Sequence, residues 1–124
     1  DPSWENHFES IKRIPDKVEV FTARSIGKDI GLLVYYPTLK WVMCLAVHKD
    51  HRGKGIATEL LTYLMEWAKS NPVIRKVNLR CNISNKKAIA LYERMGFEFE
   101  GCHKRDFFLH GEFQDTVSMG RIIN

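Results

Sequence analysis

The chain has 124 residues, enough for one hydrophobic core but not for two. Its 44% hydrophobic and 27% charged content is that of a globular protein, and a net charge of +4 favours anionic ligands without the clustered basic face of a nucleic-acid binder. No apolar run approaches the roughly 18–20 residues that span a bilayer, which excludes a membrane-spanning helix, and no secretory leader pattern is present.

Three widely spaced cysteines, Cys44, Cys81 and Cys102, include no C-x-x-C pair. This argues against a zinc site or redox couple and for reduced, mostly buried thiols in a cytoplasmic protein. The first residue is Asp1 rather than methionine, so the question of residues upstream stays open.

Residues 1–16 (DPSWENHFESIKRIPD) read as helical or irregular, with Pro15 as a stop. KVEVFTARS then alternates apolar and polar in period two, a strand with Val18, Val20, Phe21 and Ala23 expected to be buried. A turn over Gly27–Asp29 leads to a second strand, IGLLVYY, closed by Pro37. KWVMCLAV, Lys40 to Val47, is nearly all apolar, as expected of a central strand covered on both faces.

A glycine loop follows, then a helix from about Gly55 to Ser70. Its Ile56, Leu60, Leu61, Leu64, Met65 and Ala68 form one stripe, and Asn71-Pro72 stops it. KVNLRC is a short strand. SNKKAIALYERMGF is a second helix, with Ser84 or Asn85 placed to cap it and Gly96 to end it. FEFEGCHKRDFFL and EFQDTVSMGRII read as strands joined at a tight His110-Gly111 turn. The order β-β-β-α-β-α-β-β predicts an α/β (α+β) domain with a mixed, mostly antiparallel central sheet and flanking helices, spanning residues 1–124.

The loop Arg52-Gly53-Lys54-Gly55-Ile56-Ala57 lies between an apolar strand and an amphipathic helix. A helix N-terminus presents unpaired amides and partial positive charge, and glycines allow close backbone approach, so the loop can cradle a phosphate. A P-loop needs lysine directly after its last glycine, but here Ile56 follows Gly55. A dinucleotide fingerprint needs a third glycine where Thr58 stands. Both nucleotide motifs fail, and a solvated basic turn is the plain alternative. A nucleic-acid contact through Lys49, Arg52 and Lys54 would show itself by steep salt dependence.

R-G-K-G-I-A after Leu45-Ala46-Val47 resembles the R-x-x-G-x-[GA] segment of the GNAT superfamily of acetyl-CoA-dependent N-acetyltransferases. NISNKKAIALYERMGF is similar to that family's second signature, with Asn85, Ala88, Leu91, Tyr92, Gly96 and Phe97 in register. The resemblance runs from Lys17 to the C-terminus and leaves residues 1–16 outside it, so that the fold is expected to be GNAT-like and N-terminally short.

The resemblance implies that acetyl-CoA is bound as co-substrate, with no metal, and that its pyrophosphate lies on the amides of Arg52, Gly53, Lys54, Gly55, Ile56 and Ala57. Thr58 can add a hydroxyl, Leu45 and Val47 supply backbone contacts to the pantetheine arm, and Asn85 a hydrogen bond to it. Helix capping is the plain alternative for Asn85, as core packing is for Tyr92, the position matched to the family's general acid. Transfer from a phenol of pKa near 10 to a thiolate near 8.5 is uphill by about 2 kcal/mol, so a hydrogen bond that strengthens as charge grows on sulfur is the expected contribution.

A lysine-like amine costs about 4.6 kcal/mol to deprotonate at pH 7, an α-amine about 1.4. Some family members carry a glutamate base on the strand matching Lys40–Val47, and this chain has no acid there. Asp106, His110 and Glu112 are the base candidates, and Tyr35 and Tyr36 are candidates for the acceptor site. Proximity alone can supply roughly 7–11 kcal/mol.

The implied reaction is direct attack of a primary amine on the thioester through a tetrahedral intermediate, with a strand amide available as oxyanion donor. An acyl-cysteine route through Cys44 or Cys81 has no neighbouring base in the sequence. The implied acceptors are a protein N-terminus, a polyamine or a small-molecule amine. Acceptor specificity in the family rests on the segment before the third strand, here short or truncated. A non-catalytic acyl-CoA-binding module is the alternative, no nucleic-acid or membrane partner is expected, and exposed strands of the C-terminal hairpin suggest a homodimer.

Overall fold

The computed structural model describes residues 10–15 and 19–123. The strands and α-helices follow in the order β1 (Ser10–Pro15), β2 (Glu19–Ser25), β3 (Lys28–Tyr36), β4 (Trp41–Val47), α1 (Ile56–Lys69), β5 (Lys76–Asn82), α2 (Lys86–Arg94), β6 (Glu98–Leu109) and β7 (Glu112–Ile122). The strands form one sheet in the order β1-β2-β3-β4-β5-β7-β6. All pairings are antiparallel except β4 with β5, so the expected mixed, mostly antiparallel sheet is present.

Ser10–Pro15, expected to be helical or irregular, is instead an edge strand paired with β2 from Ser10↔Arg24 to Pro15↔Glu19. Its proline ends the strand at the sheet edge, where a missing amide is tolerated. In β2 the buried face carries Glu19, Phe21, Ala23 and Ser25. Val20, expected to be buried, is half-exposed because its position in the pleat points it to the other side; Val18 lies outside the described residues. The β2–β3 turn falls on Ile26-Gly27, both with positive φ (51° and 73°), one residue earlier than Gly27–Asp29.

Both α1 and α2 cross between parallel strands displaced in the same direction, and right-handed crossovers put them on one face. That face holds a single core in which Phe21, Ala23, Leu33 and Tyr35 meet the α1 stripe and Val77, Leu79 and Met119 meet Tyr92 and Phe97. All six α1 stripe residues are buried as expected. Gly31 is required where β3 crosses α1, since a Cβ there would lie 3.0 Å from Ile56 Cγ2 and 3.1 Å from Leu60 Cδ1.

β4 departs from the expectation of a strand covered on both faces: none of its residues with described side chains is buried, and Ala46 is exposed. The reason is that β4 and β5 share only the pair Trp41↔Asn78 and then separate. Their apolar composition is that of neighbours in a parallel sheet, but past that pair a cleft takes the place of the ladder.

Candidate active site

Two cavities lie along the break. One, of about 380 Å³, is lined by β4 (Val42, Cys44, Leu45), β5 (Leu79 to Asn82), α2 with its cap (Asn85, Tyr92) and the C-terminal hairpin (Asp106, Phe107, Thr116). The other, of about 340 Å³, lies at the end of β4. It joins Val47, Arg52, Gly53 and the first turn of α1 to Lys87, Leu91 and Arg94 of α2.

The second cavity has backbone geometry suited to an anion. Gly53 and Gly55 hold φ of 76° and 82°, and a Cβ at either would meet nothing within 4 Å, so each glycine serves backbone conformation. Gly55 is the N-cap of α1 and offers no side chain to its first turn. The helical ladder begins with Glu59 N–H to the Gly55 carbonyl at 3.0 Å, which leaves the amides of Ile56, Ala57 and Thr58 ahead of it. Arg52 Nε donates to the Val47 carbonyl at 3.1 Å, tying the loop to the strand it leaves. Lys54 is on the loop but does not line the cavity. Lys87, Leu91 and Arg94, spaced i, i+4 and i+7 on one face of α2, do, and that spacing was the sequence signal for them.

The alternation of the β3–β4 ladder fixes which groups of β4 face the break. His48 N–H donates to the Ile30 carbonyl at 2.8 Å, and Ala46 and Cys44 stand opposite Leu32 and Val34 in the same phase. The intervening residues, Leu45 and Val47, therefore turn their amides and carbonyls toward β5, into the gap.

Asn85 caps α2, its Oδ1 accepting from Ala88 N–H at 3.1 Å, so the capping reading is realised, by Asn85 rather than Ser84. The same residue lines the cleft, and its amide N–H₂ has no partner among the described residues. Tyr92 is 8% exposed and sits edge-on to Phe97, and its hydroxyl has no hydrogen-bond partner among the described residues. Burial, with the neighbouring Cys81 thiol, pushes its pKa up to about 12.

The three base candidates separate. His110 and Glu112 lie in and just after the hairpin turn, exposed and away from the cleft. Asp106 lines it, with Oδ2 accepting from Thr116 Oγ1 at 2.7 Å and Arg80 Nη1 at 3.2 Å. The Thr116 hydroxyl, helped by the Arg80 and His103 charges, holds this carboxyl below the usual carboxylate range. An acid held ionised is a poor proton acceptor.

Tyr35 and Tyr36 are not brought to the cleft. Tyr35 is fully buried against Trp67, with its hydroxyl donating to the Lys76 carbonyl at 3.1 Å, and Tyr36 pairs with Trp41 without lining the cavity. The cysteines are free but not mostly buried: Cys102 is exposed, and Cys44 and Cys81 are half-buried in the cleft wall because the sheet opens there. Burial pushes the Cys81 thiol up, away from the nucleophilic thiolate. Among the described residues no cluster of three metal-ligating side chains occurs, and no helix is long and apolar enough to cross a membrane.

The sequence model of the acetyltransferase (GNAT) family matches residues 1–97. The chain is 32% identical over 75 residues to the spermidine N(1)-acetyltransferase of Vibrio cholerae, covering 60% of this chain and 43% of that protein. It is 37% identical over 83 residues to the N-alpha-acetyltransferase MAK3 of Arabidopsis thaliana, covering 62% and 43%. The chain thus spans less than half the length of these curated relatives. In fold it is similar to the ribosomal-protein-S18-alanine N-acetyltransferase of Escherichia coli, with a TM-score of 0.82 over 98% of this chain and 76% of that one at 20% identity. By its sequence match the chain belongs to the GNAT family of acetyltransferases.

Proposed function

We propose that the chain transfers the acetyl group of acetyl-CoA to a primary amine by direct attack of the amine on the thioester. The observation that carries this reading is the break between β4 and β5, with a glycine loop at one end and, lining the cleft, the buried residue Tyr92, whose hydroxyl has no partner among the described residues. The residues present fit acetyl-CoA. The amides of Arg52 to Thr58 suit a pyrophosphate, and Lys87 and Arg94 add positive charge beside it. Leu45 and Val47 offer backbone groups to an amide-bearing arm lying like an added strand, and Asn85 can donate to the same arm. Acetyl-CoA supplies the activated acyl group and a thiol leaving group.

Tyr92 serves that leaving group. With a pKa of about 12 against about 8.5 for a thiol, complete proton transfer is uphill by about 5 kcal/mol. The phenol therefore donates a hydrogen bond that strengthens as charge accumulates on sulfur, and solvent delivers the proton later. Among the described residues that line the cleft, none is suited to deprotonate the amine. An α-amine or another amine of low pKa, already partly neutral at pH 7–8, is the acceptor that needs least help. The free thiols are in keeping with a cytoplasmic setting.

A thiol-release assay with acetyl-CoA and a panel of amines and peptides tests the reading. Release that depends on an amine and falls in Tyr92→Phe supports it. The lack of a suitable base favours a second reading, a non-catalytic acyl-CoA-binding module, for which coenzyme A binds and no acceptor gives release.

A further inference from the structure

We infer that Asp106 sets acceptor specificity by receiving a second, non-reacting cationic group of the acceptor, while the amine to be acetylated lies further along the cleft toward Tyr92. This rests on the acetyltransferase reading and names the acceptor class within it: amines that carry another positive charge on an apolar spacer.

The carboxylate reaches the cleft through a break in the β6–β7 ladder. Between the pairs His103↔Thr116 and Phe107↔Gln114, the three residues Lys104, Arg105 and Asp106 face Asp115 alone. Arg105 takes a φ of 51°, a left-handed conformation unfavourable for a side chain of its size, and its amide is held by Asp115 Oδ1 at 2.9 Å. Bulges of this kind re-aim side chains, and here the one re-aimed is the only acid lining the cleft among the described residues.

The carboxylate's own bonds are asymmetric. Both Thr116 and Arg80 bond Oδ2, leaving Oδ1 without a partner among the described residues, and the side chain is 26% exposed. Arg80 is held in turn with its guanidinium 5.1 Å from the Trp41 ring, so it fixes the carboxylate from one side. Thr116 and Arg80 keep the group anionic across the working range of pH. Pairing it with the reacting ammonium would hold the proton on that nitrogen and oppose attack, so its partner is another cation of the same molecule. The cleft that Asp106 and Tyr92 share is also lined by Val42, Leu79 and Phe107, which suits methylene groups.

The test compares thiol release from acetyl-CoA with 1,4-diaminobutane, butylamine and 4-aminobutanoate, which differ in the charge of the tail. Asp106→Asn keeps the size and the bond from Thr116 but removes the charge. The expected result is a diaminobutane KM raised about 10-fold, the size of one lost charge-assisted bond, with no matching rise in the butylamine KM or the acetyl-CoA KM. Asp106→Lys is expected to move the preference to 4-aminobutanoate, a gain that loss of folding cannot imitate. Equal changes for all three amines, or none, while the unmodified chain turns over, overturn this inference alone. Absence of release with all three amines while an α-amine or peptide is acetylated likewise overturns this inference alone; absence with every acceptor, α-amines and peptides included, overturns the acetyltransferase reading and this inference with it.

Discussion

Replacing Tyr92 with phenylalanine deletes a hydroxyl that no described residue bonds and keeps the ring that sits edge-on to Phe97 at a centroid distance of 6.0 Å. No buried partner is orphaned, so the melting temperature and the affinity for coenzyme A should hold. What disappears is a hydrogen bond to the developing thiolate. Because proton transfer from a phenol at about 12 is uphill, the loss is that of a bond to a charged group, about 1.5–3 kcal/mol, and not of full acid catalysis. The rate constant kcat should fall roughly 10- to 150-fold. Stopped thiol-release assays at saturating acetyl-CoA and amine, with coenzyme A binding measured separately by calorimetry, separate the two quantities. The pH profile adds a constraint: Tyr92 stays protonated up to about pH 12, so any alkaline limb of kcat below pH 10 belongs to another group and should survive in Tyr92→Phe. An unchanged kcat, or an alkaline limb below pH 10 that vanishes with the hydroxyl, would refute the role given to this residue.

Gly55→Ala should cost about 1–2 kcal/mol of stability, because φ of 82° disfavours alanine although its Cβ meets no atom, and should raise the acetyl-CoA KM more than the acceptor KM. Asn85→Ala should lose about 0.5–2 kcal/mol as the α2 cap goes, read as a lower melting temperature. Asn85→Asp restores the cap but not the amide donor, so full recovery of the acetyl-CoA KM in that variant would reduce Asn85 to capping alone. Tyr35 and Tyr92 each have a folded pKa of about 12 against about 10 unfolded, so the protonated form is favoured by the fold. The stability this supplies is complete below pH 10 and is lost between pH 10 and 12, by at most about 3 kcal/mol per tyrosine. Denaturant titrations across that window should show a smaller drop in Tyr35→Phe.

The helices were legible because burial on one side imposes a 3.6-residue stripe, and both signatures fall where main-chain geometry leaves little freedom. Gly53 and Gly55 take positive φ before α1, Asn85 caps α2, and Gly96 ends it with φ of 87°. β1 was missed because SIKRIP spaces Ile11 and Ile14 by three and ends in proline, whereas an edge strand needs backbone pairing more than alternation. The separation of β4 from β5 has no local mark either, since an apolar strand looks the same whether its neighbour stays paired or leaves. Asp106 looked equivalent to His110 and Glu112 in sequence. Only the extra residues opposite Asp115 distinguish it, and a bulge depends on the partner strand's register.

The break raises the question of what keeps the two halves of the sheet at a fixed opening. Besides the one ladder pair, the clamps among the described residues gather at one end. Asn78 donates through its amide and its Nδ2 to the Lys40 carbonyl at 2.8 and 3.2 Å, Tyr35 Oη donates to the Lys76 carbonyl, and Arg80 lies over Trp41. At the other end, around Leu45 and Val47, no pairing joins β4 to β5. The opening is thus a wedge hinged on polar contacts at Trp41 and widest toward the glycine loop, with β4 peptide groups turned into it. Backbone groups kept away from a neighbouring strand need partners from water or from a ligand. A ligand arm carrying amides can take the place β5 vacates, and its anionic end then falls at the α1 N-terminus, where Arg52 is already anchored to Val47. On the proposed reading the donor side of the site thus rests on main-chain geometry. The acceptor side depends on side chains that β6 and β7 bring up, which is why its chemistry turns on a single carboxylate.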